Sequence, residues 1–223
     1  MGSTSNPAGM LQPSTLWGVY NNLRFVIQQA LANVQTATVV KVVTCSNDGG
    51  LSPVGTVDVQ ILLNQITGQM VSTPHVTMYG LPYLRIQGGA NAVIIDPQPG
   101  DIGIAVFASR DITNVKNTKS QANPGSFRMH DFADGMYLGG LLNGAPSQYV
   151  QFGLGGISIV SPTSITIQAP SIVLEGSVAQ SGGNVTMTQN LTVTGGVSGD
   201  GKSLQSHVHG GVTVGSGETG VPV

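Results

Sequence analysis

From Gly153 onward the chain is a succession of short bursts in which an apolar residue alternates with Ser, Thr, Gln or Asn: Ile157/Ile159, Ile165/Ile167/Ala169, Ile172/Leu174, Val185/Met187 and Leu191/Val193. Pro162, Pro170, Gly176, Gly182-Gly183 and Gly195-Gly196 separate the bursts. Period-two alternation marks strands with one apolar face, and the short repeat in the first part of the tract is that of a β-helix or another wound β fibre. A single chain of about fifty such residues cannot enclose a core of useful width, and its bare strand edges would aggregate. Closing three copies around one axis removes both problems: the Ile, Val, Leu and Met side chains turn inward and the hydroxyls and amides face out. Such closure predicts an obligate homotrimer, with folding inseparable from assembly.

Composition agrees with that expectation. Charged residues make up 8% of the 223-residue chain, against roughly 25% in an ordinary domain. The 32 glycines are about twice the usual share. So little charge leaves much of the surface suited to burial against copies of the same chain. The balance of 8 basic and 10 acidic residues gives no long-range attraction to nucleic acid or anionic lipid. Cys45, the one cysteine, excludes an internal disulfide and fits a reducing cytosol. It ends the apolar run Val39 to Thr44 and reads as a structural, not a reactive, thiol. The start of the chain has neither the basic nor the apolar segment of a signal peptide. No stretch approaches the ~18 apolar residues of a membrane-spanning helix. The expectation is a protein made in soluble form and not exported by the usual route.

Ahead of the fibre, residues 1–36 comprise a Pro/Gly-rich leader and an amphipathic helix expected from Ser14 to Gln35. Leu16, Tyr20, Leu23, Ile27, Ala30 and Val34 recur at three- and four-residue steps on one face. That face must dock on its own domain or on a partner. Residues 37–112 read as β: Thr38–Thr44, Thr56–Leu63, Val76–Tyr79, Tyr83–Gln87, Ala92–Ile95 and Ile102–Ala108, punctuated by Asp48-Gly49-Gly50, Gly80-Leu81-Pro82, Gly88-Gly89 and Pro97-Gln98-Pro99-Gly100. That density of short strands predicts a small OB-like Greek-key barrel. A nucleic-acid-binding barrel needs a basic groove with stacking aromatics. Lys41, Arg85, Arg110, Tyr79, Tyr83 and Phe107 are too sparse a set to provide one. Residues 113–152 form a connector, polar from Asn114 to Gly125 and followed by Phe127-Arg-Met-His-Asp-Phe-Ala-Asp-Gly135. His130 with Asp131 and Asp134 has no nucleophile or further ligand nearby, so it reads as a turn that hydrogen-bonds its own backbone.

The apex, residues 204–223, carries two of the four histidines, His207 and His209, at i and i+2. In a strand they leave from one face, about 6.5–7 Å apart. No Cys, Asp or Glu lies within six residues to complete a tetrahedral zinc set. Three copies would bring six imidazole nitrogens together, an octahedral set suited to iron(II), cobalt or nickel. Strand parity points elsewhere, since Leu204, Ser206 and Val208 share one face and both histidines the other. If Val208 faces the axis, the histidines are exposed. The residues alone leave both arrangements open.

The Pro99-Gly-Asp-Ile-Gly103 strand start leading to Phe107-Ala-Ser-Arg-Asp111, the Ser/Thr/Gly β fibre, and the ending His207-Val-His209-Gly-Gly-Val-Thr-Val-Gly-Ser-Gly-Glu-Thr-Gly220 together resemble the central spike proteins of contractile phage tails and R-type pyocins. The likeness runs over most of residues 37–223, and its ending is the most specific part. It implies a trimer with an OB domain (37–112), an intertwined triple-stranded β-helix (153–203) and a small apex domain (204–223); with the helix and the connector (113–152) read from the residues themselves, the expected fold is all-β with one N-terminal helix. It further implies one iron (Fe2+) per trimer, held by His207 and His209 of each chain. The expected partners are baseplate hub and tail-tube proteins, and the expected target is a bacterial outer membrane, with no nucleic acid involved. The expected location is the virion tail tip, after synthesis in the host cytoplasm. Val221-Pro222 stands where a second proline is frequent in such proteins, without consequence for the ligands. The implied role is mechanical and non-enzymatic.

Two other functions fit the residues less well. A polysaccharide-degrading fibre or spike-borne muramidase needs paired carboxylates, yet the fibre offers only Glu175 and Asp200. A receptor-binding fibre usually ends in an aromatic-rich head, and no aromatic residue follows Phe152.

Overall fold

The computed structural model describes residues 18–66, 71–200, 202, 203, 211 and 215. The elements in chain order are helix α1 (Val19–Ala32), strands β1 (Ala37–Cys45), β2 (Thr56–Ile61), β3 (Gln65–Ile66), β4 (Ser72–Thr73), β5 (Thr77–Pro82), β6 (Ile86–Gly88), β7 (Asn91–Val93) and β8 (Ile102–Phe107), helix α2 (Thr113–Thr118), a 3-10 turn (Phe132–Asp134), and strands β9 (Gly135–Gly140), β10 (Tyr149–Gly153), β11 (Gly156–Val160), β12 (Ser198–Gly199) and β13 (Lys202–Ser203). The described residues are thus mostly β with few helices. They divide into two compact units, Met1–Ser164 and Ile165–Val223.

The first unit is organised by an antiparallel five-stranded sheet in the order β5-β2-β1-β8-β9. β1 is central because its β-branched run offers an alternating face: Val40 and Val42 are buried while Lys41 and Val43 are exposed. Val40 lies opposite Ile61 on β2 and Gly103 on β8, and Val42 lies opposite Val59. Val57, Val59 and Ile61 of β2 and Ala105 and Phe107 of β8 face the same interior. Register shifts between Val42 and Thr44, Val57 and Val59, and Gly103 and Ala105 mark bulges, and bulges bend strands and increase their twist. The sheet curls until its two outer strands approach. Tyr83, just after β5, forms a parallel bridge with Tyr137 of β9, and the Leu84 amide donates to the Tyr137 carbonyl at 2.8 Å. The core inside includes Val40, Val42, Val57, Val59, Leu81 and Tyr137, each 0 or 1% exposed.

β9 lies within the stretch expected to be a connector. Its sequence, Gly-Met-Tyr-Leu-Gly-Gly, has little β signal of its own. It is a strand because β8 presents an open edge and because Tyr137 fills the interior. Gly103, opposite Gly140 in that pairing, is required there: a Cβ would meet both the Gly139 carbonyl and the Tyr137 ring. The run expected over Tyr83–Gln87 divides. Tyr83 and Arg85 turn into the interior, and only Ile86–Gly88 continues as a strand, paired with β7 through a turn at Gly89. β3 and β4 form a two-residue-long ladder about residues 67–70, with no counterpart among the expected strands.

Helix α1 covers the centre of the expected Ser14–Gln35 segment, of which Ser14–Trp17 lie outside the described residues. It ends at Asn33, whose side-chain amide donates to the Gln29 carbonyl at 3.1 Å. Its apolar face, including Val19, Leu23, Val26, Ile27 and Leu31, is 56–76% exposed. Near the end of the same unit, β10 and β11 form an antiparallel hairpin with Val150 opposite Ile159 and Phe152 opposite Ile157.

The second unit is described by itself. From Ile165 to Val197 the chain forms no strand, and every described side chain in the unit whose burial is defined is exposed. β12 and β13 pair over Ser198↔Ser203 and Gly199↔Lys202.

Candidate functional site

His207 and His209, the metal ligands expected from the sequence, lie outside the described residues. Among the described residues no group of three or more His, Cys, Asp or Glu side chains is placed to hold a metal ion. Three arrangements of titratable side chains in the first unit bear on the expected site residues or are buried.

His130, Asp131 and Asp134 do not converge. His130 adopts a left-handed backbone conformation, with φ 49°. Its ring Nδ1 lies 3.2 Å from the Gln35 carbonyl oxygen, so the tautomer that fits carries its proton there. The Gln35 amide donates back to the His130 carbonyl at 3.3 Å. Asp131 accepts from the Ala133 amide at 2.8 Å and caps the 3-10 turn, the local backbone bonding expected of it. Asp134 points the other way and is fully buried.

There Asp134 meets the second arrangement. Arg128 donates from Nε to Asp134 Oδ2 at 2.9 Å and from Nη2 to Asp134 Oδ1 at 3.0 Å, and the same Nη2 lies 3.0 Å from Asp111 Oδ1. Asp111 also accepts from the Thr113 amide at 2.8 Å and the Ser126 hydroxyl at 2.7 Å. Hydrogen bonding from Thr113, then from Ser126, with the Arg128 charge adding to it, lowers the Asp111 pKa to about 2. Two carboxylates and one guanidinium thereby fold the segment 111–134 back on itself.

The third arrangement is a buried ion pair. Arg85 Nη2 lies 2.6 Å from Asp96 Oδ1, with side-chain exposures of 3 and 0%. Tyr83 donates its hydroxyl to the same oxygen at 2.6 Å, the Gly49 amide donates to Asp96 Oδ2 at 3.0 Å, and Arg85 Nη1 donates to the Ser52 carbonyl at 2.7 Å. Burial alone would raise the Asp96 pKa. The hydrogen bonds from Tyr83, Arg85 and Gly49 outweigh it, and the net shift is downward. This cluster fastens the β1–β2 loop to the segment between β7 and β8. No sequence motif announces it, because Gly49 and Asp96 are 47 positions apart.

Each of these carboxylates is held by donors from its own chain. They stabilise loops, and no catalytic role is assigned to them. The sparse basic and aromatic set is thinned further, since Tyr83, Arg85 and Phe107 are buried and of the six only Lys41, Tyr79 and Arg110 are exposed. Cys45 is half-buried and packs against the core, in keeping with a structural thiol.

The feature left without a partner in the single chain is apolar. In the second unit Ile165, Ile167, Ile172, Leu174, Val185, Met187, Leu191 and Val193 are 45–68% exposed, along a stretch whose only charge before Asp200 is Glu175. Sequence reading found this row by its alternation. The hairpin pairing of the residues just before it was not foreseen. No protein-family model matches the chain, and no curated protein matches it.

Proposed function

We propose that this chain is the central tail-tip spike of a contractile phage or phage-like injection machine, acting as a homotrimer that pierces the cell envelope mechanically. The observation that carries the reading is the apolar row from Ile165 to Val193, exposed in one chain and spaced by Ser, Thr, Gln and Asn. Exposed apolar area on this scale is a cost that association removes, at about 25 cal/mol per Å2 buried. Three chains wound about one axis, as an intertwined β-helix, would turn the row inward and pair the backbone groups between chains. The first unit supports the same reading. The order β5-β2-β1-β8-β9, with a parallel contact just beyond the outer strands, supports the proposal of an OB-type barrel.

In this reading the sheath contracts, the tube advances, and the spike fixed at its tip is driven into the outer membrane. The β-helix supplies stiffness. Low surface charge lowers the desolvation cost of passing through lipid, where charges are far more expensive than hydroxyls. His207 and His209 of three chains would hold one iron at the apex, a donor set whose six neutral imidazoles suit iron(II). When bound, that ion supplies coordination bonds between the chains where termini otherwise fray. The baseplate hub and tail tube are the proposed partners, and the virion tail tip, after synthesis in the host cytoplasm, is the proposed location.

Metal analysis of the purified protein tests the apex: one iron per three chains is expected. Replacing both His207 and His209 by Ala is expected to leave a metal-free trimer whose apex shows fast amide exchange. A metal-free double variant with a protected apex would contradict the clasp.

A further inference from the structure

The β10–β11 hairpin has two unlike faces. In its register Val150 stands opposite Ile159 and Phe152 opposite Ile157, so these four apolar side chains share one face, while on the other, more polar face Gln151 and Ser158 pair beside Tyr149 and Val160, which are only 37 and 39% exposed. The apolar face is bare in the single chain: Val150 is 58% exposed, Phe152 77%, Ile157 65% and Ile159 56%. A two-stranded ribbon is at best marginally stable in water without cover on such a face.

The chemistry around the hairpin selects what covers it. No Asp, Glu, Lys, Arg or His stands between Asp134 and Glu175. A docking site for an unlike protein is normally surrounded by a polar rim whose charges choose the partner and its orientation. Cyclic symmetry, in contrast, brings a residue close to its own copies, where any charge repels itself and an uncharged apolar face does not. The hairpin also runs directly into the apolar row that begins at Ile165. We propose that the apolar faces of three β10–β11 hairpins, one from each chain, pack against one another as a collar in which every chain keeps its own antiparallel ladder. The proposal rests on the trimeric reading above and goes beyond it: pairing between chains begins only after Val160, and Val150, Phe152, Ile157 and Ile159 form a separate interface.

Site-directed cross-linking in a Cys45→Ser background tests it on the full chain. Phe152→Cys lies on the apolar face and Gln151→Cys on the polar one. With a short bis-maleimide, Phe152→Cys should yield at least about tenfold more linked chain than Gln151→Cys, because neighbouring thiols in an assembly meet at effective concentrations near mM. Val150→Cys, on the same face, is read in the same way if Phe152→Cys does not assemble. A trimer by mass in which the apolar-face thiols stay unlinked, or in which Gln151→Cys links instead, overturns the collar and leaves the trimer standing. A monomer by mass overturns both.

Discussion

Asp96 and Asp111 perform one task at two places: each is a buried carboxylate that gathers several donors and so holds irregular segments together. For Asp111 the sign of the pH dependence follows from its lowered pKa. Its contribution is fully present above the ordinary carboxylate value and is lost as pH falls through about 2. Thermal melting of the wild-type chain should therefore fall more steeply below about pH 4 than that of Asp111→Asn, whose melting temperature should be lower at pH 7. Equal pH profiles for the two proteins would refute the assignment. Asp96→Ala leaves the Arg85 guanidinium buried without its counter-charge, and breaking such a pair is strongly destabilising. Its melting temperature should drop by more than that of Asp58→Ala, a half-buried carboxylate bonded to Thr44 and Gly80. The turn at Asp131 was legible in the sequence because its partner, Ala133, is two residues away. The Asp96 cluster was not, since its donors come from two distant segments, one at Gly49 and one at Tyr83 and Arg85.

At the scale of elements, what could be read was what each strand specifies for itself. β1, β2 and β8 carry β-branched runs whose alternation survives in the structure, and they form the middle of the sheet. β9 could not be read, because a glycine-rich segment becomes a strand only where a neighbour offers an edge. Its dependence on that neighbour is testable. Gly103→Ala drives a methyl group into the Gly139 carbonyl and the Tyr137 ring, and overpacking of this kind costs about 1–3 kcal/mol or more. Urea melts should show that loss, with β9 amides exchanging faster; an unchanged midpoint would argue against the close approach. Leu81→Ala, at a fully buried position on β5, should cost about 2–5 kcal/mol in the same assay. For the candidate site, alternation exposed the apolar row, whereas the histidine pair was visible as a motif that parity alone points away from the axis.

At the scale of the whole molecule, the chain divides its labour between a unit that closes its own core and a tract that cannot. The first has a sheet whose edges meet, so one chain satisfies it. The second presents apolar side chains to solvent over its described length, and the proposed homotrimer would cover them. A spike built as proposed would be stiff because its chains could not come apart separately, and its stability should depend on protein concentration only where trimers dissociate. The absolute mass of the purified chain in solution tests this most directly. The account predicts about 68 kDa, three times the 22.8 kDa chain, with no monomer on dilution; a stable, folded species at the mass of one chain would contradict it.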